Sequence, residues 1–229
     1  MKKKIVIGIS GSTGVILGVR ALQMLREVPD VETHLVLSRA GALNLQLETN
    51  YTAQDVRALA DVVHGFSDIG APIASGSFRA DAMIVVPCSM KTLSGIAHSY
   101  ADNLLVRAAD VMLKERRTLV LAVRETPLHL GHLRLLTQAA ELGAVIFPPV
   151  PAFYHRPENL EDVIDQSVGR MLDQVGIELP ALPRWPGTAA AAAAAASRRL
   201  VAPEVEGSPP PVDGGLHLEM ARNGAGPRS

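Results

Sequence analysis

The chain has 229 residues, 48% of them hydrophobic and 20% charged, with a formal net charge of −1. That balance is globular and excludes the global basic field that would draw a protein to nucleic acid or an anionic membrane. The single cysteine, Cys88, excludes an intrachain disulfide framework, and no apolar run reaches bilayer-spanning length.

The first residues are basic, but Gly8, Ser10, Gly11, Ser12 and Gly14 break any signal-like apolar region. A cytoplasmic protein without membrane insertion is expected. A β-branched strand over residues 4–9 runs into the turn Gly8-Ile9-Ser10-Gly11-Ser12-Thr13-Gly14, and helical spacing follows over 15–27. Residues 32–37 predict a second strand, and Ser38 reads as the N-cap of a helix to about residue 47. Thr52-Ala53-Gln54-Asp55 has the form of a capping box opening a short helix. A third buried strand, 82–86, is ended by Pro87. Helices follow at about 92–98 and 103–114, then a fourth strand at 118–123. A helix over 128–142 is stopped by Gly143, and a fifth strand, 144–147, is closed by Pro148-Pro149. The last clear helix spans 159–174. Apolar strands alternating with helices predict an α/β fold: a single doubly wound domain of three α/β/α layers, with a flavodoxin-like or Rossmann-like parallel sheet. Composition changes near Pro186-Gly187. The domain is therefore expected over 1–187. Residues 188–229, rich in Ala, Pro and Gly, form an expected low-complexity, disordered tail whose alanine run is at most transiently helical.

In open parallel sheets ligands bind at the carboxyl ends of the strands, which selects the turns leaving those ends. The glycines at 8, 11 and 14 are each three apart, not the two-then-three of a dinucleotide fingerprint. No acidic residue follows the second strand, where Ser38 and Arg39 stand instead. A hydroxyl-rich turn at a helix start can hold an anion or a polar ring, or be capping alone. Pro87-Cys88-Ser89-Met90-Lys91-Thr92 is a second such turn, and two at one sheet edge favour a phosphate-bearing ligand. Cys88 itself reads as a small buried residue. Ser75-Gly76-Ser77 offers backbone N–H groups or is only a loop, and Lys114 is a helix cap or a phosphate ligand. Arg124-Glu125 at the end of the fourth strand suits binding plus proton transfer. His129 and His132 have metal-like spacing without a third ligand, so surface or subunit-contact histidines are expected rather than a metal site. Tyr154 sits on a proline-stiffened loop, and Arg170 follows one helix later.

Together these residues resemble the flavin prenyltransferases, the UbiX family, once described as 3-octaprenyl-4-hydroxybenzoate carboxy-lyases. The likeness runs from Lys4 to Trp185. It rests on IASGSF (73–78), VVPCSMKTLSGI (85–96), RAADVMLKERR (107–117), RETPLHLGHLR (124–134) and PPVPAFYHRP (148–157). The resemblance implies metal-independent transfer of a dimethylallyl group from dimethylallyl monophosphate to N5 and C6 of reduced FMN. The prenylated FMN would pass to a UbiD-type aromatic acid decarboxylase, in ubiquinone biosynthesis or phenolic acid metabolism. It implies FMN contacts from Gly11, Ser12, Thr13, Ser38, Ser89, Met90, Lys91, Thr92 and Arg124. Tyr154 and Arg170 would hold the prenyl phosphate, with Lys114, Ser75 and Gly76 close by. Glu125 would assist proton movement, with Thr13, Ser75 and Lys114 also in the catalytic set. It further implies a homo-oligomer, often a dodecamer, with sites completed by neighbouring subunits. Two positions depart from the family pattern: Ser12-Thr13-Gly14 replaces a common Ala-Ser-Gly, and Ile69 stands where some members have tryptophan. The alternatives are an FMN-dependent cysteinyl decarboxylase, a non-catalytic flavin carrier, and direct decarboxylation of an aromatic acid, for which the chain has no evident electron sink beyond flavin. The first would need a histidine after the first helix and an Asn-rich motif. The second would have no use for Glu125, Lys114, Tyr154 and Arg170.

Overall fold

The computed structural model describes residues 2–193; the greater part of the expected low-complexity tail lies outside them. The described chain clusters into two units, one ending at Trp185 and the other beginning at Pro186. In the second, residues 188–193 are helical, and the Ala191 N–H donates to the Gly187 carbonyl at 3.0 Å.

The first unit is built on six strands: β1 (Lys3–Ile9), β2 (Val31–Leu37), β3 (Val62–His64), β4 (Ala82–Cys88), β5 (Thr118–Val123) and β6 (Val145–Ile146). All pair in parallel, in the order β3-β2-β1-β4-β5-β6. This is the Rossmann order, and it reverses direction between β1 and β4. The helices are α1 (Val15–Arg26), α2 (Arg39–Glu48), α3 (Ala53–Leu59), α4 (Met90–Ala97), α5 (Leu104–Lys114), α6 (Leu130–Glu141) and α7 (Leu160–Gln174). Alternate residues of β1 feed the two faces of the sheet. Ile5, Ile7 and Ile9 pack with α1, α2, α3 and α7, whereas Val6 packs with Met83, Val85 and the apolar faces of α4 and α5. Each fully buried side chain of this kind contributes about 1.5–3 kcal/mol by leaving water.

Local chemistry sets the boundaries. Gly14 ends the first turn at φ 92°, a left-handed conformation open to glycine at little cost. Ser38, Ser89, Asn103 and Asn159 each cap a helix with a side-chain oxygen, and Thr52 with Asp55 completes a capping box. Gly18 lets α1 lie directly on the sheet: a Cβ there would stand 2.5 Å from the Val86 carbonyl oxygen.

Three expectations change. The third strand does not stop at Pro87. β4 continues to Cys88, and the β4–β5 register shifts between Val85 and Cys88, which accommodates a residue with no N–H to donate. The strand β3 goes beyond the five expected; its three residues are too short for a readable alternation. The helix α6 begins at Leu130 because His129 caps it, its side chain accepting from the Gly131 N–H.

Candidate functional site

The carboxyl ends of β1 and β4 face one another at the point where strand order reverses. A cleft of about 900 Å³ opens there, and its lining includes Gly11, Ser38, Ser89, Lys91, Thr92 and Asn103. Two helix starts converge on it. The Ser38 hydroxyl accepts from the Gly41 N–H at 2.9 Å and opens α2, while Ser89 accepts from the Thr92 N–H at 3.3 Å and opens α4. The remaining free N–H groups of both first turns carry partial positive charge, which suits a phosphate.

Buried Ser10 ties the two turns together. Its Oγ donates to the Pro87 carbonyl at 2.9 Å and accepts from the Ser89 N–H at 2.8 Å. The first turn also rests on α2: a Cβ at Gly11 would stand 2.3 Å from Ala40 Cβ, so only glycine fits without displacement. The Gly14 N–H donates to Glu48 at 2.8 Å. Between these anchors the Ser12 hydroxyl is buried without a hydrogen-bond partner. A buried hydroxyl in that condition has an unmet need that a polar ring or phosphate in the cleft would satisfy. The residues therefore fit a flavin mononucleotide. Thr13 stands exposed on the first turn and Met90 opens α4, and neither is among the residues that line the cleft. At the end of β5 the Arg124 N–H donates to the Cys88 carbonyl at 3.1 Å. Arg124 and Glu125 are both exposed.

The remaining expected residues form two other groups. Tyr154 and Arg170 associate with α7. The Gln166 amide donates to the Tyr154 phenol oxygen at 2.8 Å, and Arg170 pairs with Asp173, which also binds Arg184. Burial pushes the Asp173 carboxyl up, but the hydrogen bonds from Arg184 and Arg170 outweigh it and hold the group below the usual carboxylate range. Ser75, Gly76 and Lys114 gather at the opposite end of the sheet. Ser75-Gly76 precedes β4 and Lys114 precedes β5, whose first residues pair as Ala82 with Thr118. Arg117 fastens this corner by donating to the Gly76 carbonyl at 2.9 Å, and Lys114 is ion-paired with Glu115. The Lys114 ammonium holds the Glu115 carboxyl below its ordinary range. A seven-residue strand spans about 20 Å, so within one chain this corner and the cleft are on opposite edges.

Other side chains resolve toward structural roles. Burial pushes the Cys88 thiol up to about 12, so no thiolate nucleophile forms there near neutral pH. The His129 and His132 rings are tilted by 33° with centroids 3.6 Å apart. Among the described residues no group of three or more His, Cys, Asp or Glu side chains is placed to hold a metal. Sequence reasoning missed Ser10 and Asn103. The signal for Asn103 was available in its N-cap position; for Ser10 only the fold separates one hydroxyl from its neighbours.

Comparison with known proteins bears on the family and the fold. The Flavoprotein family model matches residues 1–173. A flavin prenyltransferase UbiX of Escherichia coli is 64% identical over 187 residues, covering 81% of this chain and 99% of the relative. The Thauera aromatica flavin prenyltransferase UbiX is 55% identical over 184 residues, covering 80% and 94%. Among solved structures, AnUbiX (PadA1) in complex with FMN and dimethylallyl pyrophosphate has a TM-score of 0.81 at 53% identity, covering 82% of this chain and 100% of that one. A dodecameric FMN-dependent UbiX-like decarboxylase from Escherichia coli gives 0.79 at 53% identity, covering 80% and 100%. With its cleft at the Rossmann switch point and relatives of this closeness along nearly their whole length, the chain belongs to the UbiX family of flavin prenyltransferases.

Proposed function

We propose that this flavin prenyltransferase moves a dimethylallyl group from dimethylallyl monophosphate to N5 and C6 of reduced FMN. The observation that carries the FMN site is the convergence of two capped helix starts on one cleft, with the buried, unpartnered Ser12 hydroxyl next in sequence to Gly11 of its lining. Bound reduced FMN supplies the electron-rich N5 and C6 that accept the prenyl carbons. Gly11, Ser12, Thr13, Ser38, Ser89, Met90, Lys91, Thr92 and Arg124 would hold it. In the transfer a carbon–oxygen bond of the allylic ester breaks and the phosphate leaves with the electron pair. Tyr154 and Arg170 would receive that phosphate through charge-assisted hydrogen bonds, and Lys114 with Ser75 and Gly76 would add to its neutralisation. Glu125 would carry the proton released as the new ring closes.

Because Lys114, Ser75 and Gly76 lie at the far edge of the sheet, a site using them draws them from another copy of the chain. A homo-oligomer, up to a dodecamer, supplies such copies. The product would serve a UbiD-type aromatic acid decarboxylase in the cytoplasm, in ubiquinone biosynthesis or phenolic acid metabolism. Residues 1–187 would constitute the prenyltransferase domain, with 188–229 as an appended low-complexity segment. Among the described residues no helix is long and apolar enough to cross a membrane.

The test is anaerobic incubation with reduced FMN and dimethylallyl monophosphate, followed by mass spectrometry of the flavin. Gain of one C5 unit is expected, and an unchanged flavin mass refutes the proposal. Glu125→Gln should slow turnover by about 100-fold, within the range of general acid–base catalysis, and leave FMN affinity intact.

A further inference from the structure

Tyr154 stands in an unusual setting for a phenol with a proposed role in anion binding. Its ring is gripped edge-on, with Trp185 at 5.8 Å between centroids on one side and His155 at 5.7 Å on another. The hydroxyl meets two protein groups. The Gln166 amide nitrogen donates to it at 2.8 Å, and the Pro183 carbonyl lies 3.5 Å away, at the limit of hydrogen bonding. Gln166 is only 4% exposed, so its amide sits on the buried face of α7 and is not a solvated surface group.

The direction of the bond matters. A phenol has one proton to give and two lone pairs. With one lone pair taken by the Gln166 N–H, its proton is left for another acceptor, and Pro183 is a poor one. Gln166 also lies four residues before Arg170 on α7, so the two share a helix face. Resting on the proposed role of Tyr154 and Arg170 toward the prenyl phosphate, we infer that Gln166 is a positioning residue that makes Tyr154 a hydrogen-bond donor to the phosphate. A residue that only accepts would reverse this arrangement. A glutamate in place of Gln166 takes the phenol proton, presents phenol lone pairs to the phosphate and adds a like charge beside it.

The experiment uses the full-length, FMN-loaded protein. Inorganic phosphate affinity is measured by calorimetry, and the KM for dimethylallyl monophosphate is separated from kcat. Gln166→Met, which keeps the volume without the amide, should weaken phosphate binding and raise donor KM about 3- to 10-fold, the effect of one neutral hydrogen bond. Gln166→Glu should exceed that, and FMN affinity should stay within about twofold in both, since neither touches the flavin cleft. The decisive control is Tyr154→Phe. In that background Gln166→Met should have no further effect on phosphate affinity, because the hydroxyl through which Gln166 acts is gone. The inference is overturned if Gln166→Met is as damaging in the Tyr154→Phe background as in the otherwise wild-type protein, which marks a packing role. Wild-type phosphate affinity in both Gln166 variants overturns it equally. Unaltered phosphate affinity in Tyr154→Phe alone refutes the assignment of Tyr154 and this inference with it. Failure of the prenyl-transfer reading shows separately, as an unchanged flavin mass in the wild-type protein.

Discussion

Replacing Ser10 by alanine should weaken the fold and the flavin cleft together. The residue is 1% exposed, and its hydroxyl joins the β1 and β4 turns through bonds of 2.9 and 2.8 Å. The two ends do not lose equally. The Pro87 carbonyl still accepts from the Ser10 backbone N–H at 3.2 Å, so its loss is small. The Ser89 N–H has no such substitute, and an unsatisfied donor at a partly buried position costs about 1–3 kcal/mol. We expect a destabilisation of about 2 kcal/mol, or a fall in Tm of about 4–8 °C for a domain of this size. Ser89 also opens α4 onto the cleft, so FMN affinity should drop in parallel. Ser12→Ala is the matched comparison. It removes a hydroxyl with no partner in the flavin-free protein, so stability should move by less than about 0.5 kcal/mol while FMN binding weakens. Urea unfolding of the flavin-free proteins and flavin fluorescence titration report the two effects. A Ser10→Ala protein that unfolds within about 0.5 kcal/mol of wild type, or a Ser12→Ala protein that is equally destabilised, would refute the clamp.

Gly18→Ala should destabilise by about 1–2 kcal/mol, since overpacking against the Val86 carbonyl outweighs alanine's better helix propensity; a raised urea midpoint would contradict the close approach of α1. Cys88 should resist alkylation in native protein at pH 8 and react on unfolding, because its thiol is pushed up to about 12; rapid native labelling would show the site is open. The Asp61 carboxyl is held below its ordinary range chiefly by the Thr33 backbone N–H. Its contribution is therefore full above the unfolded value of about 3.9 and disappears as pH falls through the lower folded value. Wild type should exceed Asp61→Asn in stability at pH 7, with the difference closing in acid; a difference that persists or grows in acid would overturn the assignment.

Most of the architecture was legible because its signals are local. Ser38 and Thr52 with Asp55 announce helix starts within three residues, and runs such as Ala82-Met83-Ile84-Val85-Val86 need no tertiary context to read as buried strand. What escaped depends on distant parts of the chain. Nothing near Pro87 says that its strand resumes for one more residue, because that is decided by the ladder with β5. Val62–His64 gains its strand character from pairing with β2. In the site, the turns after β1, β2 and β4 were readable as one wall because strand order places them together. The partition of Lys114, Ser75 and Gly76 from that wall follows from the same alternation, since residues that lead into β5 and β4 stand at the amino ends of those strands, opposite the turns that leave them. Ser10 shows the limit of local signals at smaller scale: among three hydroxyls in five residues, only the packing of β4 chooses the clamp.

The separation of the Lys114 corner from the cleft has a genetic consequence. If each working site takes its flavin wall from one chain and its Lys114 corner from another, a lesion is no longer confined to the molecule that carries it. A chain damaged only at Lys114 and one damaged only at Arg124 would then each be inert alone. Co-assembled at random into a symmetric oligomer, about one site in four would receive both intact halves, so two dead alleles would restore activity to one another.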